Sequence, residues 1–535
     1  MKGRAERALV GLVLVAGAAP FWAGRFLPFL DMPQHLGLAN VLSRYSDPGL
    51  GFSRTYAVGS ALSPYWGYCA PMWLLTRALP LELANRVLFS LWAMALPLSV
   101  GFALRAFGRD WRWAAFSLPL VWHENLFFGF APFLLSMPVY FAAVGLLARQ
   151  LGEERPGASG STLLAAAAAA LELAHAQTYL LFGLSALALL AAEWRGLSFG
   201  LRRGAPLAPS LALFGAWFLP TFVWNPSPGA RLAHTANYRD FGSLRHLGAV
   251  FEPGAETLAR APERIWGMYA DGSGAYAGMA WLLLLALSVA LAGWPEPGPL
   301  RATGAGPDAP PPDGPPPPLR AALRAHRGEL LAVLAFACYA LLPVQVVGQW
   351  YLNARYLVFA ALLAPAFIAS SARGFRRLLV AALVLLALFC DGNAARKVAA
   401  FQSQVGGFAG LLERMEPGKK VLGLVFDRGP AWPVRQPLFL HFAAYYQALR
   451  GGDVGFSFAG LPAVPVRYRP GEQAPHPGEW APQDFRWQEM GPAYDYFLVR
   501  GAPRGEAARL GEHADLVGEE AGWKLWRRRE PAAAR

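Results

Sequence analysis

Runs of about 20 mostly apolar residues recur along this chain, and no other feature restricts its fold so severely. A helix of that length crosses the roughly 30 Å hydrocarbon core of a bilayer, where each backbone N–H and C=O must find its partner within the segment. The runs fall at roughly 8–24, 61–79, 86–106, 112–148, 161–193, 206–224, 275–293, 328–347, 355–371 and 376–391. The stretch 112–148 has room for two spans. The stretch 161–193, about 48 Å long as one helix, is too long for a straight crossing and reads as a hairpin around His175. Only 16% of the residues are charged, against roughly a quarter in soluble domains. The expected fold is mainly α, a polytopic membrane bundle of about 11–12 transmembrane helices.

The start MKGRAER is basic and leads into an apolar run with no small-residue cleavage site before Phe26, so it reads as a retained anchor with its basic end in the cytoplasm. Much of the formal charge of +13 sits in short segments between runs: RGLSFGLRRG (195–204), LRAALRAHRG (319–328) and SARGFRR (371–377). Basic loops of this kind set orientation, and no nucleic-acid partner is needed to explain them. With these three in the cytoplasm, the loops 25–60 and 225–274, the segment WYLNARY (350–356) and everything after Asp391 lie outside. The segments RAFGRDWR (105–112) and ARQLGEERPG (148–157) are also charged, and the side of each depends on the number of spans between 61 and 193, which the sequence leaves open. The expected location is the inner (cytoplasmic) membrane, crossed many times.

Residues 1–395 form the membrane part, interrupted by a Pro- and Gly-rich run at 294–320 that reads as a disordered cytoplasmic linker. Residues 396–535 change texture: KKVLGLVFD (419–427), DVGFSF (453–458), DYFLVRG (495–501) and WKLWRRR (523–529) read as strands, and HFAAYYQALRGG (441–452) as a helix. A small α/β domain outside the membrane follows, without a GxGxxG, a P-loop or a nucleophile elbow. Cys69, Cys338 and Cys390 lie in or beside apolar runs with no CxxC spacing, so neither zinc nor redox chemistry is indicated.

The candidate functional residues begin just after the anchor, in RFLPFLDMPQHLGLANVLSRY (25–45). Pro33 suits a first helical turn, and Leu36, Ala39, Leu42 and Tyr45 recur at helical spacing, which predicts an amphipathic helix on the outer membrane surface. Asp31 would cap it, a role Asp fills without further function. His35 stands one turn on, on the same side. A carboxylate at the rim of an apolar site can also take a proton from an acceptor hydroxyl or steady a developing cation. Arg355 opens a span at its outer end, where a guanidinium grips phosphate or simply sets orientation. His123, Glu124 and Asn125 are three polar residues in an apolar run, too costly to face lipid. The loop 230–254 gathers Arg231, His234, Tyr238, Arg239 and Asp240, either as a phosphate and sugar pocket or as an ordinary polar loop. A lone His175 reads as a packed or hairpin-tip residue.

The segments DMPQHL (31–36), ELANRVLFSLWAMALPL (82–98), HENLFFGFAPFLLSMPVYFAAVGLLAR (123–149) and NARYLVFAALL (353–363) resemble a bacterial branch of the GT-C class of integral-membrane glycosyltransferases. The resemblance implies a GT-C-like bundle and transfer of a sugar from a polyprenyl-phosphate-linked donor to a lipid, glycan or protein acceptor. It makes Asp31 the catalytic carboxylate, with His35 beside it. Many members carry paired acids in the first outer loop; here Met32 follows Asp31, and the next acids are Asp47 and Glu82. A divalent metal ion stays open as a cofactor, with no ligand set indicated. A transporter or flippase would show internal symmetry between two halves, and no convincing repeat is present; a noncatalytic envelope scaffold is the third reading.

Overall fold

The structure, a computed structural model, describes residues 2–59, 61–153, 157–223, 249–292, 318–346, 350–369, 373–429, 433–461 and 464–530. Among them, Leu81–Ala106, Ala131–Gly152, Ser273–Ala292 and Phe375–Val405 are long and apolar enough to cross a membrane, and Val10–Trp22, Ala158–Ala174, Ala176–Ala192 and Ala354–Phe367 are shorter apolar helices packed with them. Leu98, Leu187, Leu283 and Leu385 are each more than half exposed on these helices. A water-soluble bundle would bury such residues, whereas a multi-pass membrane protein turns them to lipid.

Two of the expected spans differ. The run 61–79 holds only the helix Trp66–Leu75, with Pro71 inside it; about 15 Å of helix does not cross a bilayer. The first half of 112–148 winds as the 3-10 turns Trp111–Ser117 and Pro119–Val121, because Pro119 brings no N–H and its ring blocks a continuing α-helix. The Phe116 carbonyl left over there accepts a hydrogen bond from Trp281 Nε1 at 2.8 Å. The expected hairpin at 161–193 is present: helices Ala158–Ala174 and Ala176–Ala192 meet at an extended His175, whose Nδ1 accepts from the Thr178 N–H.

The open question of sides is answered by ion pairs. Arg109 pairs with Glu329, Arg376 with Asp110 at 2.5 Å, and Arg324 and Arg327 with Glu193 at 2.9 and 3.5 Å. Arg203 donates to the Gln150 carbonyl at 2.6 Å and Arg327 to that of Ala148 at 3.2 Å. All five charged segments therefore lie on one face of the bundle.

The opposite face carries the first loop and the C-terminal region. A five-stranded mixed sheet runs in the order β3 (Asp453–Val454), β2 (Lys420–Val425), β5 (Tyr496–Arg500), β7 (Trp523–Arg528), β6 (Ala514–Glu520), parallel through β3, β2 and β5 and antiparallel beyond. The strand β6, ADLVGEE, was not anticipated because it is an edge strand with most of its residues facing water. Nor does this region hang apart from the membrane domain. Strand β1 (Tyr56–Val58) of the first loop pairs antiparallel with β4 (Val466–Tyr468), and Phe26 packs against Phe408, Phe442 and Tyr445. The helix Arg373–Val405 runs through the expected boundary at 395. At its end Gln402 Oε1 accepts from the N–H groups of Arg25 and Phe26 at 2.9 and 3.1 Å, and Nε2 donates to the Phe26 carbonyl.

This packing overturns the expected surface helix. Met32–Ser43 is a helix, but residues Met32 to Val41 are all buried. The polar side that would have met water meets the C-terminal backbone instead. Asn40 Nδ2 donates to the Gln447 carbonyl at 2.8 Å, and Gln34 joins the Phe456 carbonyl and the Phe458 N–H.

Candidate functional site

Asp31 is held by backbone before its side chain enters the question. Its N–H donates to the Phe128 carbonyl at 3.0 Å and that of Leu30 to the Phe127 carbonyl at 2.9 Å, tying the first loop to the turn after the short helix Glu124–Phe128. Gly129 closes that turn at φ +76°, where a Cβ would stand 2.9 Å from the Asp31 nitrogen; only glycine fits both the left-handed backbone and the close approach. The carboxylate does not cap its helix. It points instead at His441, with Oδ1 at 3.1 Å from Nδ1, in an ion-pair contact rather than an aligned hydrogen bond.

The far side of that imidazole, Nε2, lies 2.6 Å from Glu479 Oε2. Burial opposes the charge of His441, but Glu479 and Asp31 outweigh it and push its pKa up to about 10, so the ring is an imidazolium at neutral pH. Its plane stacks on Phe456 at 5.5 Å and meets the Phe458 ring edge-on. His35 is also buried, packed on Tyr68 and the same Phe458. Burial first, and the His441 charge after it, bring His35 down to about 4 despite the attraction of Asp31. One neutral and one charged imidazole thus flank Asp31.

The polar turn at 123–125 reaches the same place. His123 is fully buried with neither ring nitrogen partnered among the described residues, and the Asn125 amide is likewise unpartnered there. Burial raises Glu124 to about 7, and its Oε1 meets the Tyr351 hydroxyl at 3.5 Å. Tyr351 stands at φ +59°, in a region non-glycine residues enter only when held there. Its ring carries the Arg264 guanidinium at 4.4 Å, itself paired with Glu252 at 2.5 Å. Arg355 lies 4.1 Å over Phe130, in the same turn; it donates to Gln177 and to the Trp350 carbonyl, its Nε is unpartnered among the described residues, and the Asp31 charge acts on it.

Of the sequence candidates, Asp31 and His35 meet at His441, and Asp31 and Arg355 both rest on the turn that continues from His123, Glu124 and Asn125, through the Phe128 carbonyl and the Phe130 ring. Arg231, His234, Tyr238, Arg239 and Asp240 lie outside the described residues; the described end of their loop joins the same face, where Val250 bridges Gln345. Sequence reasoning missed His441, Glu479, Arg264 and Tyr351. His441 and Glu479 lie 38 residues apart with no motif between them, and no sequence signal links either to Asp31. Among the described residues no group of three or more His, Cys, Asp or Glu side chains is arranged to hold a metal ion.

No protein-family model matches this chain, and no curated protein matches it. Among solved structures it is similar to ArnT from Cupriavidus metallidurans in the apo state, with a TM-score of 0.54 and 11% identity over 98% of each chain. It is equally similar to ArnT from Cupriavidus metallidurans bound to undecaprenyl phosphate, with a TM-score of 0.54 and 11% identity over 97% of this chain and 96% of that one. Identity this low speaks of fold alone. ArnT is a GT-C glycosyltransferase, and the chain has the GT-C fold along nearly its whole length.

Proposed function

We propose that this protein moves a sugar, a hexose or a pentose, from a polyprenyl-phosphate-linked donor to a hydroxyl of a lipid, glycan or protein acceptor at the outer face of the inner membrane, with Asp31 as the base. The observation that carries this reading is the meeting of Asp31 and Arg355 against one turn, 123–130, on the face away from the basic segments. Basic segments stay in the cytoplasm, which turns the Asp31 face and the C-terminal region outward. The undecaprenyl phosphate bound to a protein of the same fold supports the donor class.

In this scheme the acceptor oxygen bonds to the sugar's anomeric carbon as its proton passes to Asp31 Oδ2. The bond from that carbon to the phosphate oxygen breaks, and its electron pair leaves with the polyprenyl phosphate. Arg355 and Arg264 face the charge that grows on the phosphate. Glu124, half protonated near neutral pH, and His123 and Asn125, unpartnered among the described residues, are suited to the sugar's hydroxyls. The loop with Arg231, His234, Tyr238, Arg239 and Asp240 is assigned to the donor's phosphate and sugar.

Asp31→Asn tests the reading. The purified full chain in detergent is given a panel of undecaprenyl-phosphate-linked hexoses and pentoses, and release of undecaprenyl phosphate is followed. A lost general base lowers the rate about 10²–10⁴-fold in a variant that still folds and inserts; wild-type release by the variant refutes the role of Asp31.

A further inference from the structure

His441 is gripped from both sides, by Asp31 of the first loop and by Glu479, which like His441 belongs to the C-terminal region. The ring is 5% exposed, Nδ1 faces Asp31 Oδ1 at 3.1 Å and Nε2 faces Glu479 Oε2 at 2.6 Å. Phe456 lies flat against one side. The other titratable neighbours are His35, on the helix Met32–Ser43, Arg355, on which the Asp31 charge acts, and His476, which meets Phe456 edge-on at 6.1 Å. Among the described residues Asp31 Oδ2 has no hydrogen-bond partner.

We propose that His441 and Glu479 are positioning residues for the transfer: the imidazolium holds Oδ1 of Asp31 so that Oδ2 faces the acceptor, and Glu479 aligns the ring and keeps it charged. The C-terminal region then completes the site. This inference rests on Asp31 acting as the base. A carboxylate gripped at one oxygen loses a rotational freedom that would otherwise spread Oδ2 over several directions, and misplacement by an ångström costs up to about 100-fold in rate. The imidazolium sets a positive charge beside that carboxylate. The second carboxylate offsets that cation, so the cluster of Asp31, His441 and Glu479 retains a net negative charge with which to attract a proton.

His441→Gln and Glu479→Gln are compared with wild type and Asp31→Asn in the same undecaprenyl phosphate release assay. Each positioning variant is expected to lose about 10–100-fold in kcat with the donor KM within about twofold. Both variants within twofold of wild-type kcat overturn the proposal. Asp31→Asn at the wild-type rate sinks the base instead, so the two failures are distinct. Should His441→Gln not fold, Glu479→Gln decides, Glu479 being nearer the surface. A readout without turnover stands beside these: in protein labelled with 15N-histidine, an imidazolium persists at pH 8 and vanishes in His441→Gln, and its absence from wild type overturns the proposal.

Discussion

Gly129→Ala isolates the backbone that holds Asp31. At φ +76° an alanine carries a left-handed cost of about 1–2 kcal/mol, and its Cβ would stand 2.9 Å from the Asp31 nitrogen and 3.0 Å from that of Met32. Ordinary contact needs a retreat of about 0.5 Å. Neither strand of chain gives way freely, because the Asp31 and Leu30 N–H groups are bonded to carbonyls of the same turn at 3.0 and 2.9 Å. The retreat must pass to Asp31. With 1 Å worth up to about 100-fold, a loss near tenfold in kcat is expected. Gly108→Ala is the matched control, since Gly108 has φ +77° and nothing within 4 Å of its Cβ. It bears the same backbone cost on the opposite face, so both variants should melt lower while only Gly129→Ala slows undecaprenyl phosphate release. Equal turnover by the two would refute the idea that this turn sets the position of Asp31.

Arg355→Lys should raise the donor KM about tenfold or more, because an ammonium neither forks onto phosphate nor stacks on Phe130 as the guanidinium does at 4.1 Å; an unchanged KM would remove Arg355 from the phosphate. The two imidazoles beside Asp31 should govern opposite limbs of stability against pH. His35, lowered to about 4, is protonated in the unfolded chain first, so its stability is lost as pH falls from about 6.5 towards 4, and His35→Gln should flatten the melting curve there. His441, raised to about 10, contributes fully below about 6.5 and loses its contribution as pH climbs towards 10, so His441→Gln should flatten the alkaline side.

What could be read in the sequence was whatever depends on local pattern. Run length and charge asymmetry indicated a polytopic bundle, the hairpin at His175 and the strands near 420, 496 and 523, because spanning a bilayer and alternating in a sheet are properties of short segments. Asp31, Arg355 and the 123–125 turn stood out because polar groups in apolar surroundings are costly anywhere. Burial by a distant partner was not legible. The helix Met32–Ser43 has a polar side, and nothing in its residues says that backbone from 447 to 458 covers it in place of water. His441 opened an apolar helical stretch and looked like any residue there. Its role comes from charges brought to it in space, one from each end of the chain.

The joining of those two ends also bears on how the protein is made. Asn40 waits for Gln447, 407 residues further along, and β1 waits for β4. At typical synthesis rates of 5–20 residues per second that is about 20–80 s, during which the first loop has left the ribosome with amide and strand groups unmet. Until the C-terminal region is made, the young chain holds Asp31 without the imidazole that stands beside it in the finished fold. Under the proposed function, catalytic competence would then arrive last, once the C-terminal region has folded onto the first loop, and a nascent or truncated copy would be unable to act.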